Sequence, residues 1–446
     1  MRIIRIILLI ILLGSSSLSF FGCKKESPED ILWKDETGAV TFTADMGGSF
    51  AGGKKSYSLK FTYKDALFKG DSERYNKYLA AFAYGNAFLN GAKSSIFTFY
   101  ENARFDDVYL SPAYDAIPTA DSVGYVFSHK LAENTHIVCV SVRGFNYGKE
   151  WMGNCTVGKS GNHENFSLKA REVYTALCGY LNKYDGEIKV LVTGYSRGGG
   201  IANLLSELIT ENSTVKKENL FAYTFCAPRT VEKDNVKKYK NVFNIINSAD
   251  VVNYLPPEDF GFYRHGIDVD IYSEKADELL KDFGGITLPK FREDSEKFKT
   301  APEFPSYIIK TLLSYTKNQE FALNTRALYV ENYESTLRYF IETFYSLSGD
   351  ALSEITAGLS EKNLTELMKL LKDDNLYLYL SEFIPCDTTE KDERLKTNSE
   401  ILAGFLNYPA FPVLTAYPIY KDNFSRMLSM HFWETVYVLL QNYNGF

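Results

Sequence analysis

The sequence predicts an α/β fold built on a central, mostly parallel sheet, and three observations carry that expectation. An apolar run, Ile188-Lys189-Val190-Leu191-Val192, leads into Gly194-Tyr195-Ser196-Arg197-Gly198-Gly199, and a helical pattern follows from near Gly200 with Ile201, Leu204, Leu205, Leu208 and Ile209 on one face. An amphipathic stretch from Phe166 to Tyr180 precedes that run, so strand and helix patterns alternate. Further short apolar runs at 136–142, 223–227 and 241–246 read as neighbouring buried strands.

The elements follow in chain order. Met1-Arg2-Ile3-Ile4-Arg5 is a short basic start, and Ile6 to Leu13 is apolar but too short to span a bilayer. Gly22-Cys23 follows, then Lys24 and Lys25. A small residue before a cysteine at the end of an export signal resembles the bacterial lipobox, which implies lipidation of Cys23, although Phe20 and Phe21 depart from its usual pattern and ordinary signal cleavage is the alternative. Residues 24–35 then read as a charged tether. Val40-Thr41-Phe42-Thr43 alternates as a strand does, Ser72 to Asn90 reads as a helix, and Tyr125-Val126-Phe127 and His136 to Val142 read as strands around a polar turn. From about 271 to 420 the pattern turns to helices, with Leu337, Phe340, Ile341 and Phe344 on one face and Leu364, Leu367, Met368 and Leu371 on another. This segment is expected either to cap the active-site edge or to decorate the side of the sheet.

The glycine-flanked serine carries the chemistry. Gly-x-Ser-x-Gly between a strand and a helix is the context of a nucleophile elbow, a tight turn that exposes the serine hydroxyl beside a helix N-terminus. A serine that merely caps the helix is the bland alternative. A serine needs an imidazole to take its proton and a carboxylate to orient that imidazole. The chain has five histidines: His129, His136, His163, His265 and His431. In the order Ser, acid, His, only His265 and His431 follow a plausible acid. The acid candidate is Asp250, in the stretch from Asn241 to Val252 where a hydrophobic strand-like run ends in a short polar turn, although such an aspartate also suits an Asx-turn.

Four segments together resemble the lipase class 3 family of α/β-hydrolases. They are Val138-Cys139-Val140-Ser141-Val142-Arg143-Gly144 with Trp151, the elbow extended to Ala202-Asn203, Tyr223-Thr224-Phe225-Cys226-Ala227-Pro228-Arg229, and Asn247 to Pro257 with Gly261-Phe262-Tyr263-Arg264-His265. The third is similar to the family's strand with its TFG-x-PR signature. The resemblance implies Ser196 as nucleophile, Asp250 as acid and His431, near the C-terminus, as base, with His265 structural. It also implies an oxyanion hole from the backbone amides of Arg197 and Phe145. Phe145 lacks the hydroxyl common at that position, and a guanidinium at Arg197 requires an acidic or carbonyl partner once buried.

Composition bounds the rest. A net charge of −7, becoming −9 once a leader holding Arg2 and Arg5 is removed, does not suit nucleic-acid binding. Among six cysteines, Cys139 and Cys226 read as small core residues, and a bridge among Cys155, Cys178 and Cys386 is open. No C-x-x-C, H-E-x-x-H, P-loop or EF-hand pattern occurs, so neither a cofactor nor a metal is expected. The expected organisation is a signal with lipidated Cys23 over 1–23, a tether over 24–35, an α/β-hydrolase core over 36–270, a helical insert over 271–420 and a histidine segment over 421–446. The expected function is a membrane-anchored, outward-facing serine ester hydrolase acting on acyl esters or lipids. An esterase for acylated polysaccharide and a non-catalytic binding lipoprotein are the alternatives.

Overall fold

The computed structural model describes residues 27–50, 55–119, 121–144, 150, 153–154, 156–317 and 419–443. Its centre is a seven-stranded sheet of β3 (Asp107–Leu110), β4 (Tyr125–Ala132), β5 (Thr135–Val142), β6 (Glu187–Tyr195), β7 (Leu220–Phe225), β9 (Val242–Ile246) and β11 (Ile267–Asp270), while β8 (Val231–Glu232) and β10 (Phe262–Tyr263) form a separate pair. The order across the sheet is β11-β9-β7-β6-β5-β4-β3. The five strands from β5 to β11 run parallel, while β4 and β3 are antiparallel additions at one edge. This is an α/β-hydrolase-type fold.

Alternation along the strands sorts the core into two layers. Val138, Val140, Val190, Val192, Ala222 and Val242 face helices α4 (Glu164–Leu181) and α5 (Arg197–Asn212). Ile137, Cys139, Leu191, Phe221, Tyr223 and Phe243 face the opposite layer, where aromatic residues dominate. That layer holds helices α2 (Lys77–Leu89) and α3 (Lys93–Asn102) and the antiparallel ribbon of β1 (Val40–Gly47) and β2 (Ser56–Tyr63). Within the stretch expected as a tether, Pro28–Lys34 forms a short helix, α1, docked by Trp33 stacking on Tyr78 at 4.1 Å. Both faces of the parallel strands are thus covered, which is why their sequences are nearly continuous in apolar residues. Most of the high aromatic content is core packing here, for instance Phe82 on Phe99 at 5.3 Å and Phe61 on Phe99 at 5.2 Å.

Element boundaries differ from the sequence expectation at helix starts. The helix expected from near Gly200 begins at Arg197, directly after the serine. The helix expected from Ser72 begins at Lys77, because Asn76 caps it by accepting from the amides of Tyr78 and Leu79. Periodicity marks a helix's buried face, whereas caps fix its ends. The helix α6 (Ala276–Gly284), expected within the insert, packs into the same aromatic layer, with Phe283 5.6 Å from Tyr437. Helix α7 (Glu303–Lys317) follows, and the faces at 337–344 and 364–371 lie outside the described residues, as do the signal and Cys23. No helix among the described residues is long and apolar enough to cross a membrane.

The chain returns as α8 (Ile419–Ser429), whose Met427 packs with Phe298, Phe304 and Ile308, and as α9 (Trp433–Asn442), which packs in the aromatic layer. Trp433 anchors this return. It is fully buried, stacks on Phe88 at 5.3 Å with rings 8° apart, and donates from Nε1 to the Gly47 carbonyl at 3.0 Å. Truncating a ring so placed costs about 3–5 kcal/mol. The turn between α8 and α9 is therefore held rigidly against the body of the fold.

Candidate active site

Pairing register makes the parallel strands end level. Val142 of β5 lies opposite Gly194 of β6, Gly194 opposite Thr224 of β7, and Phe225 opposite Ile245 of β9. The residues just past these ends, Gly144, Ser196, Cys226 and Asp250, consequently gather at one edge of the sheet.

Ser196 is set by its backbone. It adopts φ 53° and ψ −124°, a conformation that side chains rarely take, and its amide donates to the Phe225 carbonyl at 2.8 Å. The neighbouring glycines make the turn sterically possible. A Cβ on Gly194 would sit 2.3 Å from the carbonyl of Gly198, and one on Gly198 would sit 2.1 Å from the Val142 carbonyl oxygen. Gly144 is tighter still, since its Cβ would fall 1.6 Å from the Tyr195 carbonyl oxygen. The serine thus sits where β6 becomes α5, beside that helix's partially positive N-terminus.

His431 lies in the turn between α8 and α9, and its imidazole bridges two side chains. Nε2 is 2.9 Å from Ser196 Oγ, and Nδ1 is 2.6 Å from Asp250 Oδ2. An ionised carboxylate only accepts, so Nδ1 carries the proton and Nε2 presents its lone pair to the serine. Asp250 is fully buried, and its other oxygen accepts from the Val252 amide at 2.9 Å. The His431 side chain keeps 20 % exposure. This continuous Ser–His–Asp chain can take the serine's proton as the hydroxyl attacks and return it to a leaving group.

The surroundings fix the histidine. Tyr195 stacks on the imidazole at 5.2 Å and donates from Oη to the His431 carbonyl. Asn247 donates from Nδ2 to the Met430 carbonyl at 2.9 Å. Glu434 is fully buried and accepts from the amides of Ser49 and Phe50, just past β1, while Phe50 packs edge-on against Phe432 at 4.9 Å. Burial pushes the Glu434 carboxyl above its ordinary range, and those amides only partly oppose the shift.

The Arg197 guanidinium is buried, as the sequence implied, and carbonyl-type groups surround it. Nε donates to the Glu150 carbonyl at 3.2 Å, one terminal nitrogen donates to Asn165 Oδ1 at 3.2 Å, and the group lies 5.5 Å from the Phe166 ring. Glu150 uses its carboxylate for a buried ion pair with Arg143, which also lies over the Tyr114 ring at 4.6 Å. Two guanidinium groups therefore hold Glu150 beside the elbow. Phe145 and Trp151 lie outside the described residues.

The structure brings Ser196, Asp250 and His431 together and sets His265 apart. His265 is fully buried behind α5, where Nδ1 accepts from the Lys237 amide at 3.1 Å and Nε2 faces Glu207 Oε2 at 3.2 Å. Sequence reasoning placed Tyr195 in the elbow and Asn247 at the start of the segment that holds Asp250 but gave neither a role, and it did not single out Glu150 or Glu434. No spacing rule marks a buried side chain that serves a distant loop, as Asn247 and Glu434 do. Among the described residues, Cys139, Cys178 and Cys226 are free thiols, and Cys155 and Cys386 lie outside them.

Residues 139–260 match the family model described as lipase (class 3). The matched stretch contains Ser196 and Asp250, so it is the part of the chain that is similar to class 3 lipases. Among solved structures, the chain is similar to a triacylglycerol lipase described as having a serine protease triad as its catalytic centre, at 18% identity, covering 45% of this chain and 82% of that one with a TM-score of 0.37. The Rhizomucor miehei triacylglyceride lipase gives 17% identity, 44% and 80% coverage and a TM-score of 0.34. The lipase of Rhizopus microsporus var. chinensis gives 18%, 48%, 77% and 0.34. No curated protein matches the chain.

Proposed function

We propose that the chain is a serine ester hydrolase that cleaves acyl esters through an acyl-enzyme, with Ser196 as nucleophile, His431 as general base and acid, and Asp250 orienting the imidazole. The hydrogen-bonded chain from Ser196 Oγ through both ring nitrogens of His431 to Asp250, at 2.9 and 2.6 Å, is the observation that supports this reading. Ser196 Oγ adds to the ester carbonyl carbon while its proton passes to His431 Nε2. The tetrahedral intermediate collapses, the alkoxide leaves with that proton, and the serine is left acylated. Water, deprotonated by the same nitrogen, then releases the carboxylic acid and restores the hydroxyl. Developing negative charge on the carbonyl oxygen is met by the Arg197 amide at the helix N-terminus, and the resemblance assigns the second donor to Phe145, which lies outside the described residues. The similarity of residues 139–260 to class 3 lipases supports a lipid or short acyl ester as the substrate.

A serine-directed fluorophosphonate tests this directly. The full chain should be labelled and should hydrolyse p-nitrophenyl esters, and Ser196→Ala should do neither. Labelling of the alanine variant at the wild-type level would remove Ser196 from the mechanism, and an unlabelled, folded wild type would favour a binding role for the scaffold. We further propose that Cys23 is lipidated and holds the protein on the outer side of a membrane, a reading supported by the export-type leader and Gly22-Cys23. Expression in a bacterium should place the wild type in the membrane fraction with acyl label, and Cys23→Ser should release it or leave it unprocessed.

A further inference from the structure

Cys226 is the residue of the active-site edge that the proposed mechanism leaves unused. It stands at the end of β7 where the resembling signature has glycine, and it takes φ 45°, a left-handed conformation that costs a residue with a Cβ and suits glycine. Its amide, donating to the Ile245 carbonyl at 2.8 Å, holds it there. The side chain is completely buried. Its Sγ, one carboxylate oxygen of Asp250 and one ring nitrogen of His431 all lie within 4.8 Å of one another. Among the described residues this is the one group of three such donors, and it contains both partners that would orient and supply the base.

A thiol, an imidazole and a carboxylate form a donor set suited to zinc or a similar thiophilic divalent ion. Such an ion binds sulfur at about 2.3 Å and nitrogen or oxygen at about 2.0–2.2 Å, in a tetrahedral arrangement. Donor atoms around it stand a little over 3 Å apart, so small shifts of the present positions would meet that geometry. Magnesium and calcium, which prefer six or more oxygen ligands, do not fit.

We propose that Cys226, Asp250 and His431 form an inhibitory site for a thiophilic divalent cation, resting on the reading of His431 as the base. The chemistry balances simply. Cys226 gives up its thiol proton to solvent and binds as thiolate, Asp250 binds as carboxylate, and His431 binds through Nδ1. The imidazole stays neutral, so the proton that Nδ1 carried moves to Nε2. The dication is then matched by two anionic ligands, and one proton is released overall. Nε2 now bears a hydrogen and has no lone pair with which to take the proton of Ser196, so the ion switches the histidine to the wrong tautomer without touching the serine. The ion must displace the thiol proton, so binding tightens as pH rises.

The test measures p-nitrophenyl ester hydrolysis by the full chain against added zinc chloride, with magnesium as the control ion. Zinc near ~100 μM should lower the rate at least ~10-fold, EDTA should restore it, and the inhibition constant should fall by up to ~10-fold per pH unit. Cys226→Gly, which suits the backbone conformation, should keep measurable esterase activity and lose most of its zinc sensitivity. Cys226→Ser, which keeps a small polar side chain with weaker affinity for zinc, should be intermediate. Binding is read separately with cobalt(II), whose thiolate charge-transfer absorption should appear in the wild type and in Ser196→Ala and be absent in Cys226→Gly. That absorption does not depend on esterase activity, so it distinguishes a failed site from a failed mechanism. Equal zinc inhibition of wild type and Cys226→Gly, or no cobalt–thiolate absorption in the wild type, would overturn the proposal.

Discussion

Replacing His431 and His265 in turn separates an imidazole used in chemistry from one used in packing. In His431→Ala the backbone ties of the turn survive, because the Tyr195 hydroxyl meets the residue's carbonyl and its amide donates to the Leu428 carbonyl at 3.0 Å. The ring is partly exposed, so its loss opens little buried space, and the fold should be kept. The serine loses its proton acceptor at 2.9 Å, and Asp250 loses the group it orients. The expected fall in kcat is at least about a thousandfold, or roughly 4 kcal/mol of barrier. His265→Ala has the opposite balance. It removes a fully buried ring and leaves the Lys237 amide without the acceptor at 3.1 Å, a loss of about 1–3 kcal/mol before any cavity contribution. Its Tm should fall by several degrees, while kcat of the folded protein should stay within about tenfold of wild type. Steady-state ester hydrolysis together with thermal melts followed by circular dichroism reads both quantities. Folded variants with the reverse ranking would move the base to His265 and refute the reasoning from the His431 geometry.

Two further outcomes follow from the same contacts. Gly198→Ala places a Cβ 2.1 Å from a backbone oxygen that cannot retreat without disturbing β5, so it should abolish fluorophosphonate labelling and lower Tm, and an alanine variant labelled at the wild-type rate would contradict the steric account of the elbow. Glu434 has its folded-state pKa raised by burial above the ordinary 4.5, so the folded protein prefers the protonated acid; its contribution is greatest below pH 4.5 and is lost as pH rises through the raised value. Glu434→Gln keeps an acceptor for Ser49 and Phe50 but carries no proton to lose, so the stability gap between variant and wild type in urea melts should move in the variant's favour from pH 4 to pH 7, and a gap that does not change with pH would show that the carboxyl is not destabilised.

The sequence by itself determined the elements and the chemistry that local rules can carry. Gly194, Ser196 and Gly198 disclose a strained turn because only small residues let β6 and α5 meet so closely, and the apolar runs on either side disclose the strand and the helix. Asp250 was legible because a polar turn directly after a buried strand lands on the sheet edge where parallel neighbours end. His431 was reached through resemblance and chain order, since nothing in its immediate neighbours fixes where its ring points. Only the tertiary structure decided that, by burying Trp433 against Phe88 and by tying the turn to Tyr195 and Asn247, residues more than 180 positions away. The same holds for Glu150, whose use depends on two arginines from different strand ends, and for Cys226, which reads as an ordinary core residue until its sulfur is seen beside Asp250 and His431. Periodicity and turn chemistry act over a few residues and are written locally. The meeting of distant side chains depends on strand register and on how buried aromatic surfaces pack, and those are properties of the whole chain.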